Sequence, residues 1–155
     1  MRRALLALIL LVSVLVPGRA EATTYGNWKV VASDPRTSAF HCGGPYHGDT
    51  ASVWECVVVS GTYWQGVTIF KAPTSQGVVT NDTEAWINAT LANTTTCTGA
   101  GSFPTNQWLE CFTPTFHSLA GSYVQEQGGW LDANPVSGEW FVYPTSGWNS
   151  PTVQL

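Results

Sequence analysis

Glu55 and Glu110 are the residues whose type and placement come nearest to a catalytic kit. Each stands directly before a cysteine, in Trp54-Glu55-Cys56 and in Trp108-Leu109-Glu110-Cys111. Two carboxyl groups about 5–10 Å apart are the minimum for glycoside hydrolysis, one as acid and the other as base or nucleophile. Nothing in the spacing makes these two converge, and the plainer expectation is a pair of solvated strand-face residues. His41, His47 and Asp49 cluster around Cys42 and include zinc-ligand types, but at a spacing that fits no common site, so a polar loop is expected and no metal. G-x-S-x-G, H-E-x-x-H and phosphate-cradling glycine loops are absent from the sequence. The expectation is a protein that binds rather than catalyses and needs no cofactor.

Tryptophan, present eight times, offers recognition chemistry. Over Glu84–Leu91 the alternation puts Ala85, Ile87, Ala89 and Leu91 on one side and Glu84, Trp86, Asn88 and Thr90 on the other. With the apolar side inward, Trp86 and Asn88 face out. Over Gln107–Thr113, Leu109 and Cys111 point inward together, leaving Trp108, Glu110 and Phe112 outward. A flat ring packs on the C–H face of a pyranose while polar neighbours bond its hydroxyls. Trp86, Asn88, Trp108 and Glu110 are therefore the candidate ligand-binding residues. The alternative is that the rings cover a sheet edge or another protein. Trp54, sharing a face with Cys56 and Val58, and Trp28, sharing one with Val30 and Ala32, are expected in the core.

The elements that must position these side chains are signalled first by cysteine. Cys42 to Cys56 and Cys97 to Cys111 have the same gap, and no C-x-x-C occurs. Upstream, Met1-Arg2-Arg3, an apolar run from Ala4 to Val16 and Ala20-Glu21-Ala22 have the form of an export signal cleaved near Ala22. The run is shorter than the roughly 20 residues of a membrane span. A secreted chain oxidises its thiols, so two disulfides are expected, Cys42–Cys56 and Cys97–Cys111 first and a Cys56–Cys111 bridge between sheets as the alternative. Residues 23–155 then form one domain with three Lys or Arg against nine Asp or Glu, a net charge of −6. So few cations exclude nucleic acid and anionic lipid as partners.

Thr, Val, Gly and aromatics dominate without helical periodicity, which predicts an all-β fold: an antiparallel β-sandwich, immunoglobulin-like or similar. Strands are expected near Asn27–Ala32, Ser52–Ser60, Thr62–Phe70, Gly77–Thr80, Glu84–Leu91, Gln107–Thr113, Ser122–Glu126 and Glu139–Tyr143, with loops over Ser33–Thr50 and Ala92–Asn106. Ordered matches between the two cysteine regions suggest duplicated half-units, about 25–80 and 81–143. Asn81, Asn88 and Asn93 each begin an N-x-T glycosylation sequon. The resulting expectation is a secreted module for a glycan or, alternatively, an extracellular protein surface, with a small glycoside hydrolase as the third reading.

Overall fold

The computed structural model describes residues 22–26, 28–47, 52–71, 76–102, 108–135, 141–144 and 147–155. Residues 1–21 of the expected leader, Asp49 and the beginning of the Glu139–Tyr143 strand lie outside the described residues, while Ala22, expected as the last residue of the leader, opens the first strand. The fold is all-β, with no helix among the described residues. Its strands are β1 (Ala22–Gly26), β2 (Lys29–Val31), β3 (Phe40–His47), β4 (Ser52–Ser60), β5 (Tyr63–Lys71), β6 (Gln76–Ile87), β7 (Thr90–Ser102), β8 (Trp108–Phe112), β9 (Phe116–His117), β10 (Tyr123–Pro135), β11 (Phe141–Pro144) and β12 (Val153–Gln154).

They form two six-stranded sheets packed face to face. Sheet A runs β1-β7-β6-β10-β11, with β12 also on β10; sheet B runs β2-β8-β5-β4-β3, with β9 also on β5. All pairings are antiparallel except β1 with β7. A tight hairpin joins β4 to β5, where Ser60 pairs with Tyr63 around Gly61 at φ +62°. Such a turn needs a left-handed residue, which glycine supplies without strain.

Two of the expected boundaries move. Gly77–Thr80 and the first half of Glu84–Leu91 are one strand, β6, and the chain reverses at Asn88-Ala89, whose φ values are 47° and 59°. This turn joins β6 to β7, a thirteen-residue strand through the segment expected as a loop. Thr-rich stretches carry little apolar alternation, so β7 announces itself weakly; its inward residues are Asn93, Thr95 and Cys97. The other expected loop, Ser33–Thr50, contains β3.

Both disulfides pair as expected, Cys42–Cys56 and Cys97–Cys111. They are not equivalent. Cys42 and Cys56 face each other on neighbouring strands of sheet B, whereas Cys97 and Cys111 tie β7 of sheet A to β8 of sheet B. A segment through Trp148 and Asn149 closes the remaining side. Tyr46 stacks on Trp148 at 5.2 Å, its hydroxyl donates to the Asn149 carbonyl at 2.9 Å, and that carbonyl lies where a Cβ on Gly43 would be.

Among the described residues, the space between the sheets is apolar at its two ends and polar between them. One end holds Trp28, Val53, Phe70, Leu109 and the Cys97–Cys111 bridge; the other holds Val57, Trp64, Ala85 and Val124. Between them lies a polar belt in which Glu55, Thr68, Asn81, Thr83 and Glu126 have no solvent exposure. A third apolar cluster, Trp54, Cys56, Val67, Ile69 and Trp108, paves the opposite, outer face of sheet B. Trp28 is thus in the inter-sheet core as expected, while Trp54 is buried on the outer side, and Val30 on the edge strand is 47% exposed.

Candidate functional site

Trp86 and Asn88 lie where the outer face of sheet A ends in the β6–β7 turn. Ala85 is buried, and its neighbours Glu84 and Trp86 look outward, as the alternation requires. The pairing of β6 with β10 sets Gln125 directly opposite Trp86, and β10 alternates likewise, with Val124 and Glu126 buried and Tyr123, Gln125 and Gln127 outward. Tyr123 is thus a diagonal neighbour of Trp86 on one face. These side chains, with Asn88, Ala89 and Thr152, line a groove of about 370 Å³.

Hydrogen bonds hold the groove in shape. Trp86 Nε1 donates to Glu84 Oε2 at 3.0 Å, Gln127 Nε2 to Gln125 Oε1 at 3.0 Å, and Gln125 Nε2 to the Ser150 carbonyl at 2.9 Å. Asn88 Oδ1 accepts from the Tyr123 backbone N–H at 2.9 Å, fixing the turn against β10. Tyr123 is 53% exposed and Trp86 half-buried, so one ring is held and the other stands in water. A larger cleft of about 810 Å³ opens on the other side of Asn88, floored by Trp64 and Phe116 and rimmed by Leu119.

Trp108 and Glu110 do not belong to this groove. They stand on β8, facing outward from sheet B, on the opposite side of the sandwich. Nor are they solvent-facing: Trp108 is 8% and Glu110 3% exposed. Trp108 packs on Trp54 at 5.2 Å, and the Arg36 guanidinium lies over both rings, 4.2 Å from the centre of Trp54 and 5.4 Å from that of Trp108. Asp34 ion-pairs with Arg36 and keeps it there; that partner holds the Asp34 carboxyl below its ordinary range. Lys71 also stands over Trp108, and Lys29 pairs with Glu110 at 3.0 Å. The expectation of an outward Trp108–Glu110 platform fails because the segment before β3 folds back across that face. Strand parity predicts a side but not what covers it.

Glu55 and Glu110 do not converge. The extra Leu109 shifts the pleat, so that Glu55 points between the sheets while Glu110 points away from them. Glu55 instead meets Glu126, a residue the search for paired carboxylates passed over although its parity with Val124 marked it as inward. Thr68 Oγ1 donates to Glu55 Oε2 at 2.7 Å and accepts from Asn81 Nδ2 at 2.9 Å. Because the one Thr68 hydroxyl proton goes to Glu55, the 2.8 Å contact between Thr68 and Thr83 is donated by Thr83. The chain of donors points at Glu55. Burial pushes its carboxyl up to about 7, against hydrogen bonds from Glu126 and Thr68 that lower it. Burial and then the charge of Glu55 raise the Glu126 carboxyl well above its ordinary value.

The three sequons separate cleanly. Asn81 and Asn93 are buried between the sheets, where a glycan has no space, and Asn88 is exposed on its turn. Of the candidate zinc residues His41 is exposed, and among the described residues no three of His, Cys, Asp and Glu gather as a metal site. Of the four candidate binding residues, the structure brings Trp86 and Asn88 together and adds Tyr123, Gln125 and Gln127, whose alternation was legible in the sequence but whose pairing with β6 was not. The chain matches no protein-family model, no curated protein and no solved structure.

Proposed function

We propose that this chain is a secreted, disulfide-stapled module that binds glycan in the groove on the outer face of sheet A. The observation that carries the reading is the company Trp86 keeps: a half-exposed Tyr123 diagonal to it, and the side-chain amides of Asn88, Gln125 and Gln127 around both. The rings supply C–H stacking surface, and the amides supply donors and acceptors for hydroxyls. Asp82 and Glu84 stand on the same face, and all three Lys and Arg of residues 23–155 belong to the sheet B side. A neutral or amino sugar suits that field, and a uronate or sialate does not. Export is supported by the leader pattern and the two disulfides, and no helix among the described residues is long and apolar enough to cross a membrane.

Tryptophan fluorescence of the oxidised protein, titrated with neutral, amino-sugar and acidic polysaccharides, tests the proposal. Saturable binding of a neutral or amino polymer is expected. Trp86→Ala should weaken it by about 2 kcal/mol, roughly thirty-fold in Kd, as for an interface anchor. No response across the panel would refute the glycan reading and leave the alternative of a protein partner, for which the cleft beside the 80% exposed Leu119 is the apolar surface on offer.

A further inference from the structure

Glu55 reaches the middle of the sandwich from β4 of sheet B and Glu126 from β10 of sheet A. Both have no solvent exposure. Two such groups cannot both be ionised there without a cation, and among the described residues none faces them. Sheet B presents Thr68 and Gly66 from β5, with Thr113 beyond β8; sheet A presents Asn81, Thr83 and Ala85 from β6. The carboxylate of Glu84 acts on Glu126 in the same unfavourable sense, while the Glu84 backbone acts weakly in the opposite one. Lys29, Arg36 and Lys71 are engaged on the far face of sheet B.

The oxygens themselves record the shortage. Glu55 Oε2 takes the Thr68 hydroxyl, but among the described residues Glu55 Oε1 and both oxygens of Glu126 have no hydrogen-bond partner of ordinary geometry. The backbone of Glu84 near Glu126 offsets little of what burial does to that carboxyl. A proton on Glu126 removes the shortage, because the resulting hydroxyl donates to Glu55. The site is shaped for it. A Cβ on Gly66 would come within 2.9 Å of Glu126 Cγ, so the strand facing Glu126 is stripped of its side chain at the one place where the carboxyl arm passes.

We propose that Glu55 and Glu126 form a proton-held latch between the two sheets, closed in acid and released as the pH rises through neutrality. The inference stands apart from the glycan reading and concerns the cohesion of the fold. Its direction follows from linkage. An isolated glutamate in the unfolded chain ionises near pH 4.5, and Glu55 in the folded chain near 7. Within that window the folded state holds more protons, so each added pH unit moves the equilibrium toward unfolding, by up to about tenfold per carboxyl. Stability is fully present below the lower value and lost as the pH climbs through the upper one. Glu126, also raised well above its ordinary value by burial and by the charge of Glu55, adds to the loss in the same direction.

Thermal unfolding of the oxidised protein from about pH 5 to about pH 8 reads the latch directly. We expect the Tm to fall by roughly 5–10 °C, since a hundredfold change is about 3 kcal/mol and a domain of this size moves a few degrees per kcal/mol. The Glu55→Gln/Glu126→Gln double variant, whose amides bond each other without ionising, should lose most of that dependence. Should this variant fail to fold, the infrared spectrum of the wild-type protein decides: a protonated-carboxyl band at pH 6 that disappears at higher pH supports the latch. A Tm that is flat or rises over this range, or a spectrum at pH 6 with carboxylate bands alone, would overturn it. So would restoration of acid-like stability at pH 8 by calcium, reversed by chelator, since the pair would then be a cation site.

Discussion

Thr68→Val deletes one oxygen and leaves the side-chain shape almost unchanged, which makes it a sharp test of the polar belt. That oxygen donates to Glu55 Oε2 at 2.7 Å and accepts from Asn81 Nδ2 at 2.9 Å and Thr83 Oγ1 at 2.8 Å. Asn81 keeps a second acceptor, Thr83 Oγ1 at 2.9 Å. The variant therefore orphans two buried groups, the Glu55 Oε2 acceptor and the Thr83 hydroxyl donor. At about 1–3 kcal/mol each, partly offset by the added methyl, the loss should be about 2–5 kcal/mol. With a urea slope of about 2 kcal/mol per molar, the unfolding midpoint should drop by roughly 1–2.5 M. The loss should also depend on pH. Thr68 donates to the ionised form of Glu55 and so holds its carboxyl down; without Thr68, Glu55 rises beyond about 7. The added penalty is then smallest near pH 5, where Glu55 is protonated in both proteins, and larger near pH 8, where the wild type has begun to use the charge-assisted bond. Urea unfolding of the oxidised protein, followed by tryptophan fluorescence at both pH values, measures both effects. Midpoints within about 0.3 M of wild type, or a loss identical at the two pH values, would refute the belt as a cooperative network.

Three further outcomes follow from particular contacts. Gly66→Ala should destabilise by about 1–3 kcal/mol, because its methyl would lie 2.9 Å from Glu126 Cγ and 3.3 Å from Thr113 Cγ2; a Tm equal to wild type would show that Glu126 can step aside. Arg36→Ala should uncover Trp54 and Trp108, shifting emission to the red and increasing acrylamide quenching, at a stability loss of about 1 kcal/mol. In a glycosylating secretory host, peptide mapping of the folded product should find Asn88 occupied and Asn81 and Asn93 bare; glycan on Asn88 should lower polysaccharide binding, and Thr90→Ala from the same host, which ends the sequon and keeps Asn88, should restore it.

Much of this architecture was legible because cysteine spacing and strand alternation are local signals. The disulfides, the β4–β5 hairpin and the outward placement of Trp86 all follow from residues within 14 positions of one another. Parity also read β8 correctly, with Leu109 and Cys111 turned inward and Trp108 turned out. It failed on what lies above Trp108, since the Arg36 cover arrives from a different part of the chain. β7 was missed for a different reason. A strand that lines a polar core has no apolar alternation to show, and its inward Asn93 and Thr95 look like loop composition until the partner residues are known. Glu126 was hidden in the same way: its partner, Glu55, comes from the other sheet, and no spacing rule relates residues joined only by packing.

The distribution of charge carries a consequence for how the molecule meets a surface. Lys29, Arg36 and Lys71 all stand on one broad face, where Glu110 and Asp34 offset the first two, while Asp82 and Glu84 stand on the other, away from these three cations. At physiological ionic strength the screening length is about 8 Å, less than the roughly 10 Å between packed sheets, so a charged boundary senses the nearer face and hardly the farther one. Near an anionic cell wall or mucus layer, the favoured approach is with the arginine-covered side down. The groove around Trp86 then faces the medium. A molecule repelled as a whole would still be turned by the field, with the side that carries Trp86 and Tyr123 directed away from the charged boundary.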